Sequence, residues 1–328
     1  MAEQKIKWGI LGTGAIARLF AEGLAHLPEA VITAVGSRTQ ATADEFGQKY
    51  AIPHRHPTYE ALAADPEVEV VYISTPHNLH YENTLLCLEQ GKHVLCEKAF
   101  TVNAAQAAHL IQVAREKKLF LMEAMWTRYL PALVKVREIL AAGTLGEIRM
   151  LTADFGFKAP YDKDKRLFNP HLAGGALLDV GIYPVSLAAH VFGMQPSSIQ
   201  SHVHLGETGV DYHEGMVFGY PGGQVAILGA GLVMDTPREA VIIGTEGHLR
   251  LHYPFWFTQK LTLTTRQGEQ AIPCPIVGNG YNYEAAEVHR CLAAGELESP
   301  LMPLAESLAL MQTMDTLRAQ WGLVYPFE

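Results

Sequence analysis

Hydrophobic positions follow two different periods along this chain. Residues 6–11 form an apolar run broken only by Lys7 and Gly9, which reads as a buried strand. Ile16, Leu19, Phe20, Leu24 and Leu27 then recur at close to 3.6 residues and predict a helix. The same alternation continues. Strands are predicted over 31–35, 68–73, 93–96 and 119–122, and helices over 41–50, 59–64, 81–90 and 102–117. Residues 53–57 read as an extended connector. Strand followed by helix, repeated to about residue 122, predicts a doubly wound parallel sheet.

From Ile148 the texture changes. Seven strands are expected close together, over 148–157, 198–205, 215–220, 224–232, 239–244, 247–253 and 261–265. Hairpin-like breaks such as Tyr220-Pro-Gly-Gly223 and Thr245-Glu-Gly247 favour an antiparallel arrangement. Helices are expected over 284–293 and 304–321. The fold class is therefore α/β. A Rossmann-type parallel domain is placed at 1–122, and an α+β domain with a mostly antiparallel, open-faced sheet at 123–328. The helix over 304–321 can pack back on the first domain.

The chain's 328 residues fit two domains better than one. A net charge of −9 with no basic run disfavours nucleic acid as a partner. No uninterrupted apolar stretch approaches the roughly 18 residues that suggest a membrane span, so no membrane partner is expected. The four cysteines form no CxxC pair, and no targeting segment precedes the first strand. A cytoplasmic protein with reduced thiols is the expectation. No metal site is assigned.

Chemistry enters at the first strand–helix turn. Gly12, Gly14 and Ala17 occupy the small positions of a G-x-G-x-x-[G/A] motif, in the strand-turn-helix context that gives the motif meaning. Gly12 would make the tight turn. Gly14 would let a pyrophosphate approach the backbone, with Thr13, Ala15 and Ile16 completing the loop and helix start. An ordinary βα turn that happens to carry glycines is the alternative. At the end of the second strand, Ser37-Arg38 stands where an NAD site usually has a carboxylate. That chemistry suits a 2′-phosphate, hence NADP(H), although Arg38 could be a solvated loop charge. The loop after the 68–73 strand should also face the cofactor, through Thr75, Pro76, His77 and His80. His80 could equally be a helix-capping or surface histidine.

Glu97-Lys98 ends the next strand, where the nicotinamide half should lie. A lysine there can hydrogen-bond a substrate hydroxyl and favour the alkoxide. A surface lysine paired with Glu97 is the plainer reading. In the second domain, Gly174-Gly175 precedes an apolar segment with Asp179 and Tyr183 four apart and Pro184 after them. If helical, the two share a face. Asp179 could fix a substrate hydroxyl and Tyr183 could pass its proton, given a nearby cation such as Lys98. A capping aspartate and a packing tyrosine are the alternative. The glycine pair suits close approach of backbone to a ligand.

Thr75-Pro76 with His80, Glu97-Lys98, and Gly175-Ala-Leu-Leu-Asp179-Val-Gly-Ile-Tyr183-Pro184 together resemble the glucose–fructose oxidoreductase / inositol dehydrogenase superfamily over essentially the whole chain. Cys96-Glu-Lys98 followed by Glu123-Ala-Met-Trp126-Thr-Arg128-Tyr-Leu-Pro131 is similar to its dimeric dihydrodiol dehydrogenase and NADP-dependent D-xylose dehydrogenase branch. The resemblance implies a catalytic Lys98–Tyr183 pair assisted by Asp179, NADP preference, and a homodimer through the C-terminal sheet. Two positions depart from the pattern: Ala99 stands where most relatives have proline, and His77 where many have asparagine. The implied function is hydride transfer between NADP(H) and a secondary alcohol or carbonyl of a sugar or vicinal diol. Trp126, Arg128, Phe155, Phe157 and Arg166 are the candidate pocket lining. Two rivals remain: an NADP-sensing regulator without catalysis, and a sugar-modifying enzyme that uses the nicotinamide transiently.

Overall fold

A computed structural model describes residues 5–193 and 195–328. The described residues form two compact units: residues 5–129 with 277–307, and residues 130–193 and 195–276 with 308–328. The expected division at 122/123 therefore shifts by a few residues, and a C-terminal segment rejoins the nucleotide unit.

The first unit alternates β1 (Ile6–Leu11), α1 (Ala15–Leu24), β2 (Ala30–Gly36), α2 (Gln40–Lys49), β3 (His54–His56), α3 (Tyr59–Ala63), β4 (Val70–Ile73), α4 (His80–Glu89), β5 (His93–Glu97), α5 (Ala104–Lys117) and β6 (Leu121–Ala124). The strands are all parallel, in the order β3-β2-β1-β4-β5-β6. The order reverses between β1 and β4, so the ligand crevice belongs at the C-terminal ends of those two strands. Residues 53–57, expected to be a connector, contain an edge strand: Ala34, Val35 and Gly36 of β2 pair with His54, Arg55 and His56. Three residues are too few for periodicity to reveal. Helix α1 buries Ala17, Phe20, Ala21 and Leu24, while Ile16 and Leu19 of the expected apolar face are exposed. Phe20 stacks on Tyr72 with centroids 3.6 Å apart, and Trp8 meets Phe20 edge-on at 5.3 Å. These rings anchor the sheet core beneath the glycine turn.

The second unit contains α6 (Pro131–Ala141), β7 (Ile148–Gly156), α7 (Ile182–Phe192), β8 (Ser198–Leu205), β9 (Asp211–Gly219), β10 (Val225–Gly231), β11 (Ala240–Gly244), β12 (Gly247–Leu251), β13 (Lys260–Thr265) and β14 (Gly268–Pro273). Its eight-stranded sheet runs β14-β13-β12-β11-β7-β10-β9-β8 and is antiparallel except between β7 and β10. α6 and β14 were not among the expected elements. β14 is exposed along most of its length, so it lacks an apolar signature. On β9 and β10, Met216, Phe218, Ala226, Leu228 and Ala230 face inward, where β10 contacts α7. Val217 and Ile227, directly opposite one another, face outward at 44% and 45% exposure, which leaves part of one face open. The segment Pro170–Phe192 is long and apolar enough by composition to cross a membrane, yet 89% of its most apolar window is buried inside the protein.

α8 (Tyr281–Ala293) returns to the first unit and packs on α1. Asn279 Nδ2 donates to the Leu19 carbonyl at 2.7 Å, Trp8 Nε1 donates to His289 Nε2 at 2.9 Å, and Leu121 N donates to the Leu297 carbonyl at 3.1 Å. These long-range contacts carry no local sequence signal. The last helix, α9 (Leu304–Trp321), carries the division between units after Ser307. Its C-terminal part holds β8 within the second unit, through Trp321 Nε1 to Ser201 Oγ at 2.8 Å.

Candidate active site

The glycine turn is built as its sequence requires. Gly12 has φ +105°, and a Cβ there would lie 2.9 Å from Ser74 Oγ and 3.1 Å from the Ser74 carbonyl. Its N–H donates to the Gly36 carbonyl at 2.9 Å, while Ser74 N donates to the Leu11 carbonyl at 2.9 Å, so β1, β2 and β4 lock the turn. Gly14 differs: a Cβ would find nothing within 4 Å. It precedes α1 in extended conformation, and no side chain caps that helix. Open space over uncapped N–H groups at a helix start is a cradle for an anion, and it fits a dinucleotide pyrophosphate.

Ser37 is buried beyond β2, with its Oγ 2.6 Å from Thr42 Oγ1 and 3.4 Å from Thr13 Oγ1. Arg38 is exposed beside it and makes no ion pair among the described residues. Thr75 is buried and accepts from Asn83 Nδ2 at 3.1 Å. His77 begins a short 3₁₀ turn, and its ring meets that of His80 edge-on at 5.5 Å. His80 is neither a surface nor a capping histidine. It is 1% exposed, with Nε2 2.8 Å from the Thr75 carbonyl and Nδ1 2.8 Å from the Ala99 carbonyl. Carbonyls only accept, so both contacts are full hydrogen bonds when the ring carries both protons. His80 thus ties the Thr75-Pro76 loop to the segment after Lys98. The Lys98–Ala99 peptide is cis. Glu97 is buried, accepts the Tyr72 hydroxyl, and accepts Lys98 N at 3.2 Å. Its backbone places half-buried Lys98 at the C-terminal end of β5.

In the second unit, Asp179 lies in a single π-helical turn, Leu177–Gly181, immediately before α7, which carries Tyr183. The regular i,i+4 relation expected of the pair is therefore interrupted. Buried Asp211 sits at the start of this turn, its Oδ2 accepting Leu177 N at 2.6 Å. Burial pushes the Asp211 carboxyl up to about 7 despite that bond. The glycine pair serves this packing. Gly175 has φ +120°, and a Cβ there would lie 2.0 Å from Asp211 Oδ1, while one on Gly174 would press on the Arg166, Leu167 and Asn169 carbonyls. The expected ligand approach at these glycines gives way to an internal one.

Arg166 Nη1 donates to Asp179 Oδ1 at 2.6 Å. Tyr183 borders an aromatic group: Phe155 at 5.4 Å, Trp256 at 6.2 Å, and Phe157 beyond Phe155 at 6.3 Å. Phe155 and Trp256 stack with centroids 3.4 Å apart and planes 6° apart. Trp256 was not among the candidates; the cluster Tyr253-Pro-Phe-Trp-Phe257 was the available signal. A carboxylate held by a guanidinium can orient hydroxyls, and a phenol among flat rings can face an apolar ring surface.

Family models decide the kinship. The model described as "Oxidoreductase family, NAD-binding Rossmann fold" matches residues 6–125, and the GFO/IDH/MocA C-terminal domain matches residues 133–250. The chain belongs to the GFO/IDH/MocA oxidoreductase family. Mouse trans-1,2-dihydrobenzene-1,2-diol dehydrogenase is 39% identical, covering 98% of each chain. The D-xylose 1-dehydrogenase (NADP(+)) of Hypocrea jecorina is 36% identical over 98% of this chain and 93% of its own. Among solved structures, the 3-ketoreductase KijD10 of Actinomadura kijaniata, in complex with NADP and TDP-benzene, superposes with a TM-score of 0.86 at 26% identity, covering 96% of this chain and 98% of the other.

Two residues expected to line the pocket of this oxidoreductase have partners within the first unit. Arg128 is 2% exposed and ion-paired with Glu306. Trp126 is 7% exposed and stacks on Tyr281 at 4.9 Å with planes 6° apart. Both fasten the 126–129 turn to the returning C-terminal segment. Beside them Glu123 is fully buried and accepts Phe100 N at 3.2 Å; burial raises its carboxyl to about 7, although that hydrogen bond and Arg128 pull the other way.

Proposed function

We propose that this oxidoreductase transfers a hydride between NADP(H) and a secondary alcohol or carbonyl carbon of a sugar or vicinal diol, using Lys98, Asp179 and Tyr183. The observations that carry the reading are the Arg166–Asp179 ion pair and the aromatic group around Tyr183, in a chain whose other unit carries an open phosphate cradle. NADP rather than NAD is supported by Ser37-Arg38 at the ribose position, by the cofactor named for the xylose dehydrogenase relative, and by the NADP in the ketoreductase structure. Sugars and diols are the substrates that relatives' names supply.

When bound at the Gly12–Gly14 turn beside Ser37 and Arg38, NADP(H) would supply the hydride acceptor for oxidation and the hydride donor for reduction. The chain's residues handle the proton. Tyr183 Oη takes the proton from the substrate hydroxyl during oxidation and gives it back during reduction. The Lys98 ammonium favours the phenolate and the developing alkoxide. Asp179, held by Arg166, accepts from a neighbouring hydroxyl and fixes which carbon faces the cofactor. Phe155 and Trp256 offer a flat surface to an apolar sugar face or a diol ring. A homodimer through the sheet face bearing Val217 and Ile227, and a reducing cytoplasmic setting consistent with four free, buried cysteines, complete the proposal.

The test is steady-state and binding measurement on Tyr183→Phe and Lys98→Ala. The expected result is a loss of kcat of at least about a hundredfold in each, with NADPH affinity retained. Wild-type turnover in either variant refutes the assigned roles. Product formation without net NADPH change would favour transient use of the nicotinamide.

A further inference from the structure

Away from the cofactor crevice, at the outer edge of the parallel sheet, two imidazoles and a carboxylate converge. His54 and His56 are two apart on β3, so both side chains leave the strand on one face. His54 Nδ1 lies 2.6 Å, and His56 Nε2 2.8 Å, from the same oxygen, Asp65 Oδ2. The three ligand atoms lie within 4.8 Å of one another, and no other such group of three occurs among the described residues. Asp65 follows α3, with its side chain only 3% exposed, whereas the His54 and His56 side chains are 40% and 23% exposed.

The carboxylate is fixed from behind. Its second oxygen accepts Glu67 N at 2.9 Å, and buried Lys92 donates to the Asp65 and Val68 carbonyls at 2.6 and 2.7 Å. Oδ2 is thus aimed at the two rings by a braced turn.

We propose that His54, His56 and Asp65 form a binding site for a divalent ion of the Zn²⁺ class, structural in role. Two imidazole nitrogens and one carboxylate oxygen suit Zn²⁺ or Co²⁺, and they do not suit Mg²⁺ or Ca²⁺, which take oxygen donors. Zinc–nitrogen bonds of about 2.0–2.1 Å in a tetrahedral site hold neighbouring ligand atoms roughly 3.3 Å apart. The rings must therefore retreat by about half an ångström from their present contacts, and solvent beside His54 gives them room. On binding, each ring presents a lone pair at the nitrogen now near Asp65, and its proton resides on the far nitrogen. The open side takes water as fourth ligand. The ion would tie edge strand β3 to the turn between α3 and β4. Strand β3 is otherwise held to β2 along three paired residues.

The test uses the full chain, stripped with a chelator and titrated with Zn²⁺ and with Co²⁺. The expected results are one equivalent bound, visible Co²⁺ absorption of a four-coordinate site, and a Tm raised by several degrees and restored by chelator. His54→Gln and His56→Gln each keep an N–H that can reach Asp65, so the local tie survives while the ligand is lost. Each is expected to weaken Zn²⁺ binding at least about tenfold and to leave turnover unchanged. The cross-strand pair His204 and His213, with rings 5.1 Å apart, is the competing ligand source and supplies the control variant His204→Gln. No binding up to about 100 μM Zn²⁺, unchanged binding in both β3 variants, or loss only in His204→Gln overturns the proposal.

Discussion

Gly12 and Gly14 are two residues apart, and alanine at each should fail in a different way. At Gly12 the backbone has φ +105°, and the new methyl would lie 2.9 Å from Ser74 Oγ and 3.1 Å from the Ser74 carbonyl. The hydroxyl can turn away, but the carbonyl belongs to the β4 end and cannot. The left-handed backbone alone costs about 1–2 kcal/mol, and the contact with the carbonyl adds of the order of 1 kcal/mol. Gly12→Ala should therefore lose about 2–3 kcal/mol of stability. Gly14 has φ −72°, and its methyl would meet nothing within 4 Å. Loss of a glycine helix start costs some tenths of a kcal/mol, and the reduced entropy of the unfolded chain returns a similar amount. Gly14→Ala should keep wild-type stability to within about 0.5 kcal/mol. Its methyl, however, stands where the pyrophosphate must come, so NADPH affinity should fall at least about tenfold, or 1.4 kcal/mol. Urea unfolding and NADPH fluorescence titration of both variants read the two quantities separately. Wild-type NADPH affinity in Gly14→Ala would refute the cradle, and equal destabilisation of both variants would refute the packing argument.

Three further outcomes are expected. Glu123 has its folded-state carboxyl raised to about 7, above the usual 4.5, so between those values the folded chain holds a proton that the unfolded chain has lost. Its contribution to stability is complete below about pH 4.5 and is lost as pH rises through 7, a change of about 3 kcal/mol. Glu123→Gln should flatten that decline and be more stable than wild type at pH 8 in urea unfolding; an unchanged pH profile would show that the carboxyl is not held protonated. Trp256→Ala removes the ring stacked on Phe155 and should raise substrate KM about three- to tenfold with kcat nearly unchanged, by initial rates; an unaltered KM would take the ring out of the pocket. Arg38→Ala should raise KM for NADP⁺ about tenfold and leave that for NAD⁺ unchanged; equal effects on both would remove the 2′-phosphate contact.

The fold was legible where periodicity and turn chemistry coincide. The helix over Leu304–Trp321 and the strand over Ser198–Leu205 were expected at those residues, and the β1–α1 turn carried its own signature. Strand β3 and exposed β14 lacked a pattern long or apolar enough to read. The placement of 277–307 depends on contacts such as Asn279 with Leu19 and Trp8 with His289, which join residues more than 250 positions apart. For the candidate site, sequence nominates residues by type and by position at strand ends. What each residue touches was less legible. Arg128, Trp126 and His80 look functional in sequence because polar or aromatic residues near a strand end suggest ligands, but sequence does not show that Glu306, Tyr281 and two backbone carbonyls are among their partners. The π turn under Asp179 escaped because its geometry involves Asp211, far along the chain.

The most direct test of the central claim is growth of reduced-nicotinamide absorbance, with NADP⁺ and NAD⁺ in parallel, across aldoses, inositols and trans-diols. The account predicts a signal with NADP⁺ on a sugar or vicinal diol, much weaker with NAD⁺. A preference for NAD⁺ would contradict the reading of Arg38, and silence across the panel in both directions, with NADPH still bound, would contradict the catalytic assignment itself.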